Sequence, residues 1–281
     1  MNNNNLPVGV FDSGMGGLTV LRALKSLLPR ESFIYLGDTA RLPYGTKSAE
    51  TVQQYAVQMA RLLIARRIKA LVIACNTATT AALPYLQAMF TEIPVIGVVR
   101  PGAGAVVAAT RNQQITVFAT ETTIASNAYQ RLITEQLPQA TISARACSVL
   151  VALAEEGMVN NAVAREALLY YLSEFKNEDT LLLGCTHFPV FRPLLATLLP
   201  ESVAVVDSAE ATAYAFQKLL YSHHLQTDSA SPGNIEYLVT DSIRRFQTVG
   251  EIFLGEVLKE HHIELVDACL PVEADNSTRA A

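Results

Sequence analysis

The stretch TLLLGCTHFP, residues 180–189, runs apolar to a small residue and then places a thiol, a hydroxyl and an imidazole in succession at Cys185, Thr186 and His187. A short apolar run bounded by turn formers reads as a strand buried on both faces of a parallel sheet. The three polar groups then fall at its carboxyl end, ahead of helix-unfriendly prolines at 189 and 193. A second stretch, ALVIACNTAT at 70–79, closes its own apolar run in the same way at Cys75, followed by Asn76 and Thr77. Open α/β sheets bind ligands outside the carboxyl ends of their strands. Polar groups there have little packing purpose, so both cysteines are candidates for chemistry.

Outward from these runs, short apolar segments alternate with longer helical patterns, the signature of parallel strands joined by crossover helices. The first unit is PVGVFDSGMGGLTVLRALKSLLP: a strand at 8–11, a glycine-rich turn, then Leu18, Leu21, Leu24 and Leu28 on one helical stripe that stops at Pro29. Strands follow in SFIYLGD, ALVIAC and PVIGVV, and the series then begins again. Runs starting near Val8, Phe33, Leu71 and Val95 have counterparts near Ile115, Ile142, Leu181 and Val203, at separations of 107, 109, 110 and 108 residues. Constant spacing points to a duplicated α/β unit. With Cys75 and Cys185 closing the third strand of each half, a pseudo-twofold arrangement would bring the two thiols to one cleft from opposite sides.

The expected fold is therefore α/β, with two pseudo-symmetric three-layer domains, mostly parallel sheets and the active site in the cleft between them. The polar stretch YSHHLQTDSASPGN reads as a surface loop, and IEYLVTD, RRFQTVGEIFLGEVL and IELVD as a returning segment that docks on the first half. The expected domains are 1–98 plus 209–270, and 99–208, with residues 271–281 a mobile tail.

Half of the 281 residues are hydrophobic and 17% charged, enough to bury a sizeable core and unlike a disordered chain. A net charge of −5 gives no electrostatic reason to expect nucleic acid or an anionic membrane as partner, so the substrate is expected to be small. The opening MNNNNLPVGV lacks the basic and apolar regions of a secretory signal, and polar residues interrupt every apolar run short of membrane-helix length. The expected location is cytoplasmic. Four cysteines at 75, 147, 185 and 269 show no paired spacing and read as free thiols, with Cys147 and Cys269 as small buried hydrophobes.

A cysteine between a strand and a helix gains from aligned amide dipoles, which favour thiolate. Zinc sites want close ligand pairs, and the chain has no CxxC, HxxxH or HExxH, so no metal is expected. A Cys-His hydrolase built on Cys185 and His187 would leave Cys75 unexplained. FDSGMGGLT, at 11–19, fails as a phosphate loop because it lacks GK[ST] and has threonine where GxGxxG needs glycine. Asp12 there suits an ammonium group or a thiol that must be oriented, or it caps the following helix. Pro43, Tyr44 and Gly45 form a turn, and Thr120, Thr122 and Thr123 sit by a strand end, where they could also be caps.

Taken together, FDSGMGGLTV, LGDTARLPYG, ACNTAT, FATETTIAS, CSVLVALAEEG and LLLGCTHFP resemble the glutamate racemase family, within the aspartate/glutamate racemase superfamily, over about residues 7–260. The resemblance implies two α/β domains enclosing the active site, and cofactor-independent racemisation of L-glutamate to D-glutamate for peptidoglycan synthesis. It implies that Cys75 and Cys185 are the two catalytic bases, assisted by Asp12 and His187. Ser13, Tyr44, Gly45, Asn76 and Thr77 match substrate-binding positions, as do Thr120, Thr123 and Thr186, with Asp12 also near the substrate ammonium. No cofactor or metal is implied, and a homodimer is. The chain departs from the family pattern with Arg100 where an acid is usual before proline, Thr122 for glycine and Ser148 for proline, none a catalytic position. Glu155 matches an acidic residue near the site. A relative acting on aspartate or a hydantoin, the Cys-His hydrolase and a two-lobed dicarboxylate-binding protein remain the rival readings.

Overall fold

A computed structural model describes residues 3–268. Among the described residues, ten strands form two sheets. β1 (Val8–Asp12), β2 (Phe33–Gly37), β3 (Ala70–Ile73) and β4 (Val95–Gly97) belong to the first. β5 (Gln114–Ala119), β6 (Thr141–Ala146), β7 (Thr180–Gly184) and β8 (Ala204–Asp207) make the second, and β9 (Ile235–Val239) and β10 (Ile263–Leu265) return to the first. The sheet orders are β10-β9-β2-β1-β3-β4 and β6-β5-β7-β8, and every described pairing is parallel. The inner order of the first sheet, β2-β1-β3-β4, is thus repeated by β6-β5-β7-β8. The spacing of about 108 residues read from the chain is a repeat of topology.

The principal helices are α1 (Leu18–Leu27), α2 (Ala49–Ala65), α3 (Asn76–Met89), α4 (Val99–Ala109), α5 (Glu121–Ala125) and α6 (Ala128–Thr134). They continue as α7 (Ser148–Glu155), α8 (Ala162–Leu172), α9 (Arg192–Leu198), α10 (Ala209–Ser222) and α11 (Ile243–Leu254). Alternate residues of the first sheet serve opposite cores, as the period of a strand requires. Val8, Val10, Phe33, Tyr35 and Val72 meet Leu18, Leu21 and Leu24 of α1 with Phe216, Phe246 and Phe253 of α10 and α11. Phe11, Ile34, Leu36, Leu71 and Ile73 meet Val52, Met59 and Leu63 of α2 and Leu86 of α3. Burial on both faces is why β1, β2 and β3 read as unbroken apolar runs. β6 differs: it lies at a sheet edge, is largely exposed and carries Arg145, a charge that discourages pairing with another chain.

The chain passes between the sheets twice. After β4 it enters α4, which packs on β7 and β8, and after β8 it enters α10, which packs on α1. At the amino ends of the strands, away from the cysteines, the buried Lys69 lies 2.5 Å from Glu31 and donates to the carbonyl of Asn4, while the N–H of Thr227 donates to the same carboxylate. This pair pins the first turn and the 225–233 segment to the sheet. The expected tail 271–281, with Cys269, lies outside the described residues.

Candidate active site

β1, β3, β5 and β7 end on one side of the molecule, and the residues that follow them interlock across the two sheets. Asp12 is the last residue of β1 and is fully buried. Its carboxylate accepts from the N–H of Gly14 at 3.0 Å and from the hydroxyl of Thr186, which belongs to the other half of the chain, at 3.3 Å. Burial pushes this carboxyl up, against the pull of His187 and of the Gly17 and Gly14 amides. The N-cap of α1 is Gly17, with no side-chain cap, so Asp12 holds the turn and does not cap the helix. The hydroxyl of Thr19 reaches the Thr186 carbonyl at 3.3 Å. A methyl group at Gly16 would lie 2.5 Å from His187 Nδ1 and 2.6 Å from Thr186 Oγ1, so only glycine lets the turn approach this closely.

Cys75 follows β3 as the N-cap of α3, where its sulfur accepts from Ala78 N–H at 3.4 Å and sits 3.6 Å from Ser13 Oγ. The helix terminus and Ser13 do favour thiolate. Burial nevertheless prevails, joined by the negative charge of Asp12, and the thiol is pushed up to about 12. At Cys75 burial thus opposes the thiolate that the strand–helix setting favours. Spacing along a chain does not display such desolvation.

Cys185 follows β7, and the segment behind it is a 3-10 turn at Phe188–Phe191, so no α-helix begins directly after it. Its sulfur is 3.9 Å from His187 Nδ1, and the other ring nitrogen is 3.0 Å from Glu155 Oε1. Burial would drive His187 down, but its hydrogen bonds and charge interactions with Cys185 and Glu155 outweigh it and raise the imidazole to about 10. Phe253 of α11 packs edge-on against His187, with ring centroids 5.2 Å apart. Arg245 of the same helix donates to the Glu155 carbonyl at 3.2 Å and to Glu156 at 3.0 Å. Glu155, read from sequence only as an acidic residue near the site, is thus the hydrogen-bonded partner of His187.

On the opposite flank, Thr77 Oγ1 lies 2.8 Å from Thr120 Oγ1 and 3.3 Å from Thr123 Oγ1, and the latter two are 3.0 Å apart. Thr120 is the N-cap of α5 but makes no side-chain cap, so these hydroxyls bond one another across the sheets. The Tyr44 hydroxyl donates to buried Asp38, which also binds Arg41 and Thr240. Gly45 presses on Thr120, whose Cβ would be 2.5 Å from any Cβ at that position. The Thr122 hydroxyl lies 3.0 Å from the Gly45 carbonyl and 2.9 Å from that of Lys47, beside a cavity of about 420 Å³ lined by Thr46, Ser48, Glu121 and Ser126. Asp12, Ser13, Cys75, Thr77, Thr120, Thr123, Cys185, Thr186 and His187 thus lie in two neighbouring bonded groups at the strand ends, Asn76 bonds Tyr129, and Tyr44 turns its hydroxyl to Asp38. Asp38 and Thr122 lie in the quoted motifs LGDTARLPYG and FATETTIAS but were given no site role from sequence, and Tyr129 lies in no quoted motif.

Cys147 is buried elsewhere, its sulfur 3.4 Å from the Arg145 carbonyl, and Arg100 is a surface residue. Among the described residues no group of three or more His, Cys, Asp or Glu is placed to hold a metal, and no helix is long and apolar enough to cross a membrane.

The family model described as Asp/Glu/Hydantoin racemase matches residues 9–215. A glutamate racemase from Geobacter metallireducens is 46% identical over 250 residues, 88% of this chain and 92% of that protein. A crystal structure of glutamate racemase from Francisella tularensis in complex with D-glutamate superposes with a TM-score of 0.87 at 38% identity, covering 95% of this chain and 99% of that one. The Escherichia coli glutamate racemase, solved in complex with L-glutamate and activator UDP-MurNAc-ala, gives 0.77 at 30% identity over 93% and 98% of the two chains. With matches of this extent over both sheets, the chain belongs to the Asp/Glu/hydantoin racemase family, among its glutamate racemases.

Proposed function

We infer that this chain interconverts L- and D-glutamate, with Cys75 and Cys185 exchanging protons with opposite faces of Cα. The observation that carries the reading is the junction itself. Each thiol follows the equivalent strand of its own sheet, Cys75 lies against Ser13 and Cys185 against His187, and the Asp12–Thr186 bond ties the two assemblies together. In one direction Cys185 starts as thiolate beside the His187 imidazolium and removes the Cα proton, while protonated Cys75 delivers its own proton to the other face. The products are the enantiomer, a thiol at 185 and a thiolate at 75, and the reverse direction exchanges the roles.

Asp12 is suited to the substrate ammonium. The amide of Asn76, the hydroxyls of Ser13, Thr77, Thr120, Thr123 and Thr186, and the backbone at Tyr44 and Gly45 are suited to the two carboxylates. The near-complete burial of these groups supports a water-poor site in which such fixed dipoles act strongly. The relatives solved with D-glutamate and with L-glutamate support the substrate. On this reading the enzyme needs no cofactor or metal, works in the cytoplasm as a homodimer, and supplies D-glutamate for cell-wall peptidoglycan. Its working lobes are 1–98 plus 209–270 and 99–208, with the cleft between them.

Incubation of L-glutamate in D2O tests this. The expected product is D-glutamate carrying deuterium at Cα, insensitive to EDTA and lost in both Cys75→Ala and Cys185→Ala. D-glutamate that retains protium at Cα, or an active Cys75→Ala, would sink the two-thiol scheme. Turnover of aspartate in place of glutamate would move the substrate by one methylene, a difference that a pocket discriminates only modestly.

A further inference from the structure

Asn76, the first residue of α3, is 3% exposed, and its Nδ2 has no hydrogen-bond partner among the described residues. A buried amide donor left unpaired is costly, so its orientation needs a cause. The cause lies across the sheets. Tyr129 of α6, 1% exposed, donates its hydroxyl to Asn76 Oδ1 at 2.5 Å. Burial holds the Tyr129 phenol far above its ordinary range, so it keeps the proton it donates, and its oxygen in turn interacts with the side chain of Ser208. Turning the Asn76 amide end for end would set its NH2 against a phenol that already donates in that direction. The chain Ser208, Tyr129, Asn76 therefore admits one amide orientation, and each bond in it polarises the next.

We propose that Tyr129 is a positioning residue for the racemisation: its hydroxyl fixes the Asn76 carboxamide so that Nδ2 presents its two protons to a carboxylate of the amino acid held between Cys75 and Cys185. The proposal rests on the functional reading above and deepens it. Tyr129 touches no reacting atom. It acts through Asn76, which is flanked by Cys75 and Thr77 at the end of β3.

The test is a double-mutant cycle on Tyr129→Phe and Asn76→Ala, with kcat and KM measured for L- and D-glutamate. Removing the hydroxyl alone is expected to raise KM about tenfold for both enantiomers, the worth of one hydrogen bond to a charged group, with kcat nearly unchanged because ground state and transition state lose it alike. The double variant is expected to match Asn76→Ala, since the two residues act as one unit. An unchanged KM in Tyr129→Phe, or multiplying effects in the double variant, overturns the role of Tyr129. A wild-type chain that fails to racemise glutamate overturns the functional reading instead. Should Tyr129→Phe not fold, Ser208→Ala takes its place: a rise in KM that vanishes in the Asn76→Ala background supports the chain of bonds, and equal effects in both backgrounds refute it.

Discussion

Replacing Glu155 by Gln keeps the shape of the His187 partner and removes its charge. The two groups are almost fully buried, with Nε2 3.0 Å from Oε1, so solvent screens little of the loss. A charge-assisted hydrogen bond contributes roughly 1.5–3 kcal/mol and a neutral one about 1, so the substitution should weaken the imidazolium by about 1–2 kcal/mol, near one pKa unit. The His187 imidazole is pushed up from its ordinary 6.5 to about 10. A raised folded pKa means that the stabilisation is fully present below pH 6.5 and is lost as pH rises through about 10. Thermal melts of wild type and Glu155→Gln at pH 6, 8 and 10 should therefore differ by roughly 3–6 °C at pH 6 and converge toward pH 10. A gap that is the same at all three pH values, or no gap at pH 6, would refute the charged pairing of His187 with Glu155.

Thr122→Val removes the hydroxyl that bonds the Gly45 and Lys47 carbonyls from the other sheet's side. KM for glutamate should rise about three- to tenfold, as expected for one hydrogen bond, with Thr122→Ser restoring it in the same steady-state assay. Lys69→Met strands the buried Glu31 carboxylate beside a thioether, and the loss should be about 3–5 kcal/mol in chemical denaturation, with kcat for the folded enzyme unchanged because the pair lies at the far end of the sheet.

Much of this was legible because strands buried on both faces are written as apolar runs, and because chemistry gathers where such runs stop. Cys75, Cys185 and the repeated strand order could be read that way. The partnerships across the sheets could not. Tyr129 meets Asn76 from 53 residues away and Arg245 reaches Glu155 from 90, distances at which a chain carries no periodic signal. The burial of Cys75 was not legible for a related reason: its cap by Ala78 N–H is local, whereas its desolvation comes from everything packed around it. Glu155 lay in a recognised motif, yet only the fold turns it toward the imidazole.

The two backbone passages between the sheets, after Gly97 and after Asp207, run side by side: a Cβ on Gly102 would sit 3.0 Å from that of Ser208. Two adjacent tethers would resist sliding and twisting of one sheet against the other more than a swing about the line that joins them. If the chain acts as proposed, an amino acid would enter by such a swing, as a book opens along its spine, and closing would bring the two thiols back to one register.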